Sequence, residues 1–326
     1  MAADLQQMRQ LIREENDRKS GNRSFGGDRT FYPIFNIPEK GTAVVRFLPD
    51  QDENNPWFWV EKQTIRLEFA GLVGDRVSNE PVSVTVPCLD MFAPRSCPII
   101  AATRQWWNTD EKLARKYWKR RSYIAQGLVT SSPFEELDAP ENSIRLFRFG
   151  TKLIEKLKAG LMDDEMENSP IDYLNGTDFK IKRTRQGDFN NYDTSEWSRR
   201  SRPLTESEHM AIERYGLFNL KDFLGTRPDA KGVEIIKAMF HDSVEGKPFD
   251  LAAYGEYYKP YGMGQAIANG ADETDDFSTT PRSNGIQRPE PPLAAEPPVA
   301  ATDAPDDNMQ DILARLKAKN AAAVQR

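Results

Sequence analysis

The sequence predicts an α+β fold with an OB-type Greek-key β-barrel as its core, a small cysteine-loop subdomain and helical insertions. Short segments that alternate apolar with polar residues, and are rich in Val, Ile, Phe and Trp, recur up to about residue 185. Segments with helical spacing of apolar residues interrupt them. Many short strands with helical insertions are typical of an open Greek-key barrel.

The predicted elements follow one another along residues 28–270, which we assign to one core domain. Strands are expected at 31–69, 81–89, 122–130, 144–149 and 178–185. Helices are expected at 108–121, 151–161, 205–215, 230–241 and 249–258. The helix at 205–215 opens on a capping box, Thr-Glu-Ser-Glu. Because about half of the side chains on an alternating strand face inward, we expect Phe147 or Phe149 in the core. Trp57 and Trp59 are expected to be partly buried.

Two terminal segments differ from the core domain. Residues 1–27 combine a short amphipathic helix with a polar, Gly-rich connector. They form either a helix packed on its own domain or an arm that docks on a neighbouring molecule. Residues 271–305 lack the apolar side chains that would offset the entropy of ordering, so we expect a disordered linker. Residues 306–326 carry an apolar stripe, and because so short a helix is marginal alone, the stripe indicates a partner-binding helix: Met309, Ile312, Leu313 and Leu316.

Charge is distributed unevenly along the chain. The 326 residues carry 44 Lys and Arg against 50 Asp and Glu, a formal charge of −6. Ten of the acids and six of the bases lie in residues 271–326, which leaves the core close to neutral. Local basic runs in a nearly neutral core predict a basic groove with acidic surfaces elsewhere. No apolar run approaches the roughly 18 residues that span a bilayer, so we expect a cytoplasmic protein with free thiols.

The most basic run is residues 112–123, which we call the basic–aromatic segment. Six of its twelve residues are Lys or Arg and three are aromatic, with no acid among them. Cations attract phosphate and flat rings accept unpaired bases, so this composition favours nucleic-acid contact. The alternative is a surface helix whose aromatic residues face the core. A second run, residues 178–185, indicates a strand with one cationic face.

No pattern in the sequence favours an enzyme or a metal site. There is no Gly-rich phosphate-binding loop, and nothing favours a catalytic dyad built on either histidine, His209 or His241. Cys88 and Cys97 do not complete a zinc site, which needs four ligands, so we expect two buried thiols in a small loop. The sequence therefore predicts no catalytic residues, no metal ligands and no cofactor.

Seven short motifs occur in one collinear order along roughly residues 40–260. They are AVVRFLP (43–49), SCP (96–98), the basic run ending in SY (119–123), APEN (139–142), RFG with its following helix (148–158), DDEMENSPID (163–172) and GDFNNYD (187–193). In this order and spacing the chain resembles the family of single-stranded DNA-binding, or helix-destabilising, proteins of T4-like bacteriophages.

The resemblance implies an OB-type domain beside a zinc-bearing subdomain, with a groove for single-stranded DNA between them. The residues matched to the groove and to its stacking rings are Lys119, Arg120, Arg121, Tyr123, Phe189 and Tyr192. With the basic and aromatic residues of the neighbouring runs, the predicted DNA-binding set is Arg104, Lys112, Arg115, Lys116, Tyr117, Lys119, Arg120, Arg121, Tyr123, Lys182, Arg185, Phe189 and Tyr192.

The two terminal segments also have counterparts in that family. An N-terminal arm there docks on the adjacent protomer and gives cooperativity, and the residues that look like its motif are Arg18, Lys19 and Ser20. The family's acidic tail recruits replication partners. This tail is dilute in acids and ends basic, so recruitment is expected to depend on Ile312, Leu313 and Leu316. The implied partners are further copies of the chain, head-to-tail along DNA, and phage replication and recombination proteins in the host cytoplasm, with no membrane.

Residues 62–104, which match the family's zinc subdomain, depart from its ligand pattern of one His and three Cys. Cys88 and Cys97 match two ligands, and Ile100 stands at the third position. The His position falls near Lys62 or Gln63. We therefore predict that zinc is absent and that apolar packing holds this degenerate subdomain, through Met91, Phe92, Ile99 and Ile100.

The residues and the resemblance together predict a non-enzymatic, sequence-independent and cooperative single-stranded DNA-binding protein. It would coat and protect replication, recombination and repair intermediates. It would also destabilise duplexes and hairpins without ATP, because binding only the unpaired form shifts that equilibrium. The alternative is a translational regulator that binds single-stranded RNA, and matched DNA and RNA oligonucleotides separate the two.

Overall fold

The computed structural model describes residues 29–74, 77–136, 139–187 and 189–261. The predicted N-terminal arm, linker and C-terminal helix lie outside the described residues. The predicted protein-contact residues lie there too, namely Arg18, Lys19, Ser20, Ile312, Leu313 and Leu316. Their roles therefore stay predictions.

Strands and helices are mixed along the described part of the chain. The strands are β1 (Thr42–Leu48), β2 (Trp59–Phe69), β3 (Leu72–Val73), β4 (Val82–Pro87), β5 (Arg120–Ser131), β6 (Ile144–Phe149), β7 (Thr177–Lys182), β8 (Thr184–Gln186), β9 (Phe189–Asn191), β10 (Glu196–Ser201) and β11 (Phe249–Asp250). The α-helices are α1 (Pro98–Trp106), α2 (Glu111–Lys116), α3 (Thr151–Leu161), α4 (Glu206–Tyr215), α5 (Ala230–Glu245) and α6 (Leu251–Tyr254). Short 3-10 turns lie at Ile34–Asn36, Leu89–Met91 and Leu220–Leu224.

The chain divides into two compact units that are interleaved in sequence. Among the described residues, the first unit holds 29–62 and 121–226, and the second holds 63–120 and 227–261. The predicted cysteine-loop subdomain, residues 62–104, falls almost wholly within the second unit. That unit extends further, to α2 and to the helices after residue 227.

The first unit is built on antiparallel strands in the order β10-β7-β1-β5, with β6 also paired to β5. On β1, Val45 lies opposite Val129 of β5 and Phe179 of β7. Gly127 of β5 allows the close approach of the two strands. A Cβ atom at Gly127 would come within 2.5 Å of the carbonyl oxygen of Arg46.

Helix α3 and an aromatic core cover one face of these strands. The buried residues of α3 are Leu153, Ile154 and Leu157, which share one helix face. Phe147 and Phe149 are both buried, so the prediction that at least one of them lies in the core is confirmed. About half of the buried residues of this core are aromatic, so many of the unit's rings are not at the surface.

A buried arginine joins the strands of the first unit to α4. Arg46 is fully buried, donates to the carbonyl oxygen of Arg202 at 2.9 Å and lies 3.5 Å from the carboxylate of Asp178. Arg202 pairs with Asp178 at 2.7 Å and with Glu208 at 2.8 Å. Glu208 also closes the predicted capping box with Thr205 at the start of α4, which confirms that motif.

The second unit packs helices on two small strand pairs. The later part of β2 pairs antiparallel with β4, with Leu67 opposite Val84, and β3 pairs parallel with β11. Its core includes Trp106 of α1, Tyr117 directly after α2, and Phe240 of α5. These three rings have centroids 5.3 to 6.1 Å apart. Both cysteines lie in the same core.

The fold class is confirmed as α+β with antiparallel strands and several helices. Closure into an OB-type barrel stays a prediction, because the strand pairs of the described residues do not complete a ring. The helix predicted at 108–121 is shorter. Asp110 caps α2 by accepting from the amide of Leu113, and the chain becomes strand β5 at Arg120.

Candidate nucleic-acid interface

Helix α2 in the second unit presents the exposed cations of the basic–aromatic segment. Lys112, Arg115 and Lys116 are all exposed. Arg115 pairs with Glu111 of the same helix at 2.5 Å, and its guanidinium lies 5.3 Å from the ring centroid of Trp107. The Nζ atom of Lys116 lies 3.3 Å from the carboxylate of Glu68. Such surface ion pairs contribute only about 0–1 kcal/mol, so a phosphate can replace the carboxylate.

Arg104 on α1, Lys112 on α2 and Arg185 on β8 are also exposed. No carboxylate within the described ranges pairs with any of the three. Within the described residues their charge is not neutralised by an ion pair, which makes them the simplest candidates for phosphate contacts.

Tyr117 lies in the core, not at the surface. Its ring packs against Trp106 and Phe240, and its hydroxyl shares a hydrogen bond with Ser243 at 3.0 Å. Burial raises the pKa of Tyr117. The alternative of a core-facing aromatic residue therefore describes this position, and its ring is not placed to stack on a base.

Lys119 differs from the cations of α2 because it is largely enclosed. Its side chain is 12% exposed, and Nζ lies 3.3 Å from the carboxylate of Asp90, which is 7% exposed. The other oxygen of Asp90 accepts a hydrogen bond from the backbone amide of Cys97 at 3.0 Å. Lys119 is thus tied to the cysteine loop. Arg120, the next residue, is half-buried.

In the first unit, Tyr123 and Arg121 stand at the start of β5. Arg121 is exposed and lies 3.4 Å from the carboxylate of Glu61. Tyr123 is only 4% exposed and packs in the aromatic core, where burial raises its pKa. Lys158 of α3 lies with Nζ 5.3 Å from the centroid of the Tyr123 ring. Only a small part of this ring is therefore open to a ligand.

Near Tyr123, Trp57 presents an exposed ring that the sequence prediction did not assign to DNA, whereas its neighbour Trp59 is buried. Trp57 is 55% exposed and is stacked on Trp59, with centroids 5.0 Å apart. Lys158 lies 5.8 Å from the Trp59 ring, so it contacts both Trp59 and Tyr123. We call Trp57, Trp59, Tyr123 and Lys158 the Trp57 cluster. The sequence pattern that could have indicated this cluster is WFW at 57–59, because residues two apart lie on the same side of an extended chain.

A cavity of about 550 Å³, which Trp57 helps to line, has a different character. Acidic side chains line it, including Asp50, Asp52 and Glu53. Lys221 donates to Asp52, and the pKa of Asp52 is lowered to about 2 by hydrogen bonds from Lys221 and Asn54. This acidic lining does not suit phosphate.

The hairpin of β8 and β9 carries the second predicted group. Gln186 lies opposite Phe189 and Arg185 opposite Asn190. Phe189 is 37% exposed and Arg185 is exposed, so one cation and one ring are presented together. Gly187, at the turn, has a φ of +63°, a backbone conformation that residues other than glycine rarely adopt.

Two other predicted residues near this hairpin are engaged by the protein itself. Lys182 pairs with Glu196 at 2.8 Å, and this hydrogen bond lowers the pKa of Glu196. Tyr192 is half-buried against the aromatic core, and burial raises its pKa. Among the described residues, its hydroxyl has no hydrogen-bond partner.

The resemblance also implies zinc, and the residues at those positions do not fit that ion. Cys88 and Cys97 are buried free thiols in the same apolar core. Ile100, at the third position, is packed in the apolar core and offers no donor. In the described part of the chain no third His, Cys, Asp or Glu donor joins the two thiols. A structural zinc site needs four ligands, so this pair falls short.

A separate group of donors on α5 is already neutralised by a lysine. His241, Asp242 and Glu245 place one ligand atom each within 4.8 Å of one another. The Nζ atom of Lys247 lies 3.0 Å from Asp242 and 2.8 Å from Glu245, and Tyr254 donates to Asp242. This arrangement is an ion-pair network, and the absence of a metal site stays a prediction.

Comparison with known families agrees with the sequence motifs. A family model described as gp32 DNA binding protein like matches residues 39–239. This stretch is more than half of the chain and includes every predicted DNA-binding residue. Among curated proteins, none matches the chain. Every described helix is too short or too polar to cross a membrane.

Proposed function

The chain belongs to the gp32 DNA-binding-protein-like family, and from this premise we propose that it is a sequence-independent single-stranded DNA-binding protein without enzymatic activity. It coats and protects the single strands of replication, recombination and repair intermediates. The observation that carries this proposal is the family match over residues 39–239, which spans both basic runs.

Phosphate binding is assigned to the exposed cations of α2 and of the β8–β9 hairpin. Lys112 and Arg185 offer charge directly, whereas Arg115 and Lys116 exchange a surface carboxylate for a phosphate. Each phosphate that is neutralised releases counterions from the strand, which makes binding depend on salt.

Base stacking is assigned to the exposed rings of the first unit. Among the described residues of the first unit, Trp57 and Phe189 are the aromatic side chains that are exposed, at 55% and 37%. Stacking contributes about 1–3 kcal/mol per base and accepts any base, because every base has a π-face. This is the physical basis for binding without sequence preference.

Cooperativity and duplex destabilisation extend the proposal. Residues 1–27 dock on the adjacent copy along the strand. A chain that lacks these residues should therefore bind an isolated site normally but lose cooperative binding along a long strand. Because the protein binds only the unpaired form, mass action melts hairpins without ATP.

The test is a salt titration with a labelled oligo(dT), a matched hairpin duplex and a matched oligo(rU). We expect tight binding to oligo(dT) and weak binding to the duplex. For about four neutralised phosphates, the slope of log K against log salt should be near −3. A slope near zero would contradict phosphate binding, and preference for oligo(rU) would favour the alternative, a single-stranded RNA-binding translational regulator.

A further inference from the structure

Strand β10 is an edge strand of the first unit and departs from regular pairing with β7. Among the described strands it is hydrogen-bonded to β7 alone. Trp197 and Ser201 of β10 are paired with residues of β7 that are only two positions apart, Phe179 and Thr177. Two extra residues of β10 are therefore accommodated between these pairs. A bulge of this kind interrupts the ladder and redirects side chains.

The bulge presents two arginines side by side. Arg199 and Arg200 are consecutive and both exposed. In a regular strand successive side chains point to opposite faces, and Trp197, just before them, packs against the aromatic core. Regular pairing would therefore direct one of the two arginines towards that core. Within the described residues neither guanidinium has an ion pair or a side-chain hydrogen bond.

The surrounding surface is also cationic. Strands β7 and β10 carry two carboxylates, Asp178 and Glu196, against four cations, Lys180, Lys182, Arg199 and Arg200. Asp178 is engaged by Arg202 at 2.7 Å, which leaves Glu196 to balance all four. The pKa of Glu196 is lowered by its hydrogen bond from Lys182 and further by the charges of Lys180 and Arg199. The surface of these two strands therefore keeps an excess of positive charge.

The β8–β9 hairpin is built on the same two strands. It begins two residues after β7 ends, and residues 192–195 lead from it into β10. The hydroxyl of Ser195 fixes this return by accepting from the backbone amide of Lys182 at 3.0 Å. The hairpin is thus held at the end of β7 where β10 starts, and Arg199 lies three residues, roughly 10 Å, along β10 from that start.

We propose that Arg199 and Arg200 bind phosphates of a single DNA strand that continues from the β8–β9 hairpin along the edge of the sheet. This inference rests on the proposed function and adds a phosphate-binding surface outside both basic runs and all seven motifs. Guanidinium groups suit this role, because their fork of donors matches the oxygens of a phosphate.

The sign of the charge favours this role over protection of the edge. Charged side chains and bulges also keep edge strands from pairing with other chains, but that effect does not require one sign. An excess of positive charge matches a polyanion. The acidic residues 271–326 are one polyanion and a DNA strand is another. The match to a DNA-binding family covers residues 39–239 and so includes β10, which favours DNA.

Salt titrations of the full chain with labelled oligo(dT) test the inference. The double variant Arg199→Ala with Arg200→Ala should reduce the slope of log K against log salt by about 1.4, which is two contacts at about 0.7 each. Its deficit in affinity should therefore grow about 25-fold for each tenfold decrease in salt. Arg199→Lys with Arg200→Lys keeps both charges and should restore most of the slope. Thermal melts check that both variants fold.

The matched control is Arg214→Ala with Lys221→Ala, which removes the same charge from the same unit. Both side chains are exposed and engaged by carboxylates, Glu141 and Asp52 respectively. This control should keep the wild-type slope. An equal fall in slope in the control would show that the effect is one of net charge and would overturn the inference.

Glu196→Gln tests the same surface by a gain of binding. It removes the carboxylate that engages Lys182, so the lysine becomes available to a phosphate. Affinity for oligo(dT) should rise, and the slope should steepen by about 0.7. Unchanged binding by this variant would contradict a path of DNA across β7 and β10.

The remaining outcomes separate this inference from the proposed function. If the wild type binds oligo(dT) and the double alanine variant binds with the same affinity and slope, only the inference is overturned. Self-association of that variant with unchanged DNA binding would assign the arginines to edge protection. The double variant is also made in a full-length chain whose ten acids in residues 271–326 are changed to amides. Loss of its effect there would assign the arginines to the acidic segment. Failure of the wild type to bind oligo(dT) would overturn both proposals.

Discussion

At the scale of single residues, burial decides which of the predicted rings can meet a base. The sequence indicated aromatic residues among cations and so selected Tyr117 and Tyr123, both of which lie in cores. It did not select Trp57, which is exposed. Residue type is readable from a sequence. Which side of an element faces the core depends on residues distant in sequence. The hydroxyl of Tyr117, for example, shares a hydrogen bond with that of Ser243, 126 residues later.

Trp57→Ala should weaken binding to oligo(dT) by about 1–3 kcal/mol with little change in the salt slope, because a stacking ring is lost and no charge changes. Stability should change little, since the ring is mostly exposed. The matched control is Met162→Ala in the same unit, which removes an apolar side chain that is also exposed. Anisotropy titrations of the two variants check this. Equal affinities for wild type and Trp57→Ala would contradict a stacking role for the Trp57 cluster.

Lys112→Ala should weaken binding for every sequence and reduce the salt slope by about 0.7, the value for one phosphate contact on a single strand. Lys112 is exposed and its charge is not neutralised within the described ranges, so its loss removes attraction without disturbing packing. Lys247→Ala is the control in the same unit, because Lys247 is engaged by Asp242 and Glu245. An unchanged slope for Lys112→Ala would exclude a phosphate contact there.

At the scale of elements, local patterns predicted several of the longer strands and helices, but they missed β10, and the helix predicted at 249–258 is only the short β11 followed by α6. The expected strand at 144–149 and helix at 151–161 coincide with β6 and α3. Helix α1 was assigned no element, although Pro98 stands at a first helical position, where Pro is favoured. The basic run at 119–121 was placed on a helix, whereas the chain enters β5 at Arg120, where pairing partners far along the chain hold it extended.

The β8–β9 hairpin offers a test at this scale through its turn. Gly187→Val should weaken binding to single strands, because a β-branched residue is strained at a φ of +63° and the turn that presents Arg185 and Phe189 must shift. Gly187→Asn is the control at the same position, since Asn tolerates this conformation, and it should bind like the wild type. Oligo(dT) titrations with thermal melts check both variants. Normal binding by a folded Gly187→Val protein would show that the hairpin does not contact DNA.

At the scale of the whole molecule, the interleaving of the two units was not predictable from local pattern. Residues 63–120 and 227–261 form one unit although more than a hundred residues of the other unit separate them in sequence. Contacts such as the amide of Glu68 on the hydroxyl of Ser243, at 3.1 Å, hold the second unit together. Periodicity within a window carries no signal for such pairs. Only the resemblance to a known family implied a second subdomain beside the OB-type domain.

The metal content of the purified chain is a second whole-molecule test. We expect no stoichiometric zinc, because the two thiols have no third ligand among the described residues and Ile100 offers no donor. Elemental analysis of protein purified without chelators measures this, and a chelator should leave the Tm unchanged. About one zinc per chain would contradict the prediction and would direct attention to donors elsewhere in the sequence.

The acidic tail gives the last prediction. Residues 271–326 carry ten acids against six bases, so a tethered segment with net negative charge competes with phosphate for the basic surface. A chain that ends at residue 270 should fold normally and bind oligo(dT) more tightly at low salt, and the gain should shrink as salt screens the charges. A full-length variant with all ten tail acids changed to amides should match the shortened chain, because it keeps length and loses charge. Equal affinity of full-length and shortened protein at low salt would reject competition.

The apolar stripe is tested separately, because substituting Ile312, Leu313 and Leu316 with Ser should abolish capture of replication partners while leaving DNA affinity unchanged. Retained capture by the shortened chain would show that partners bind elsewhere.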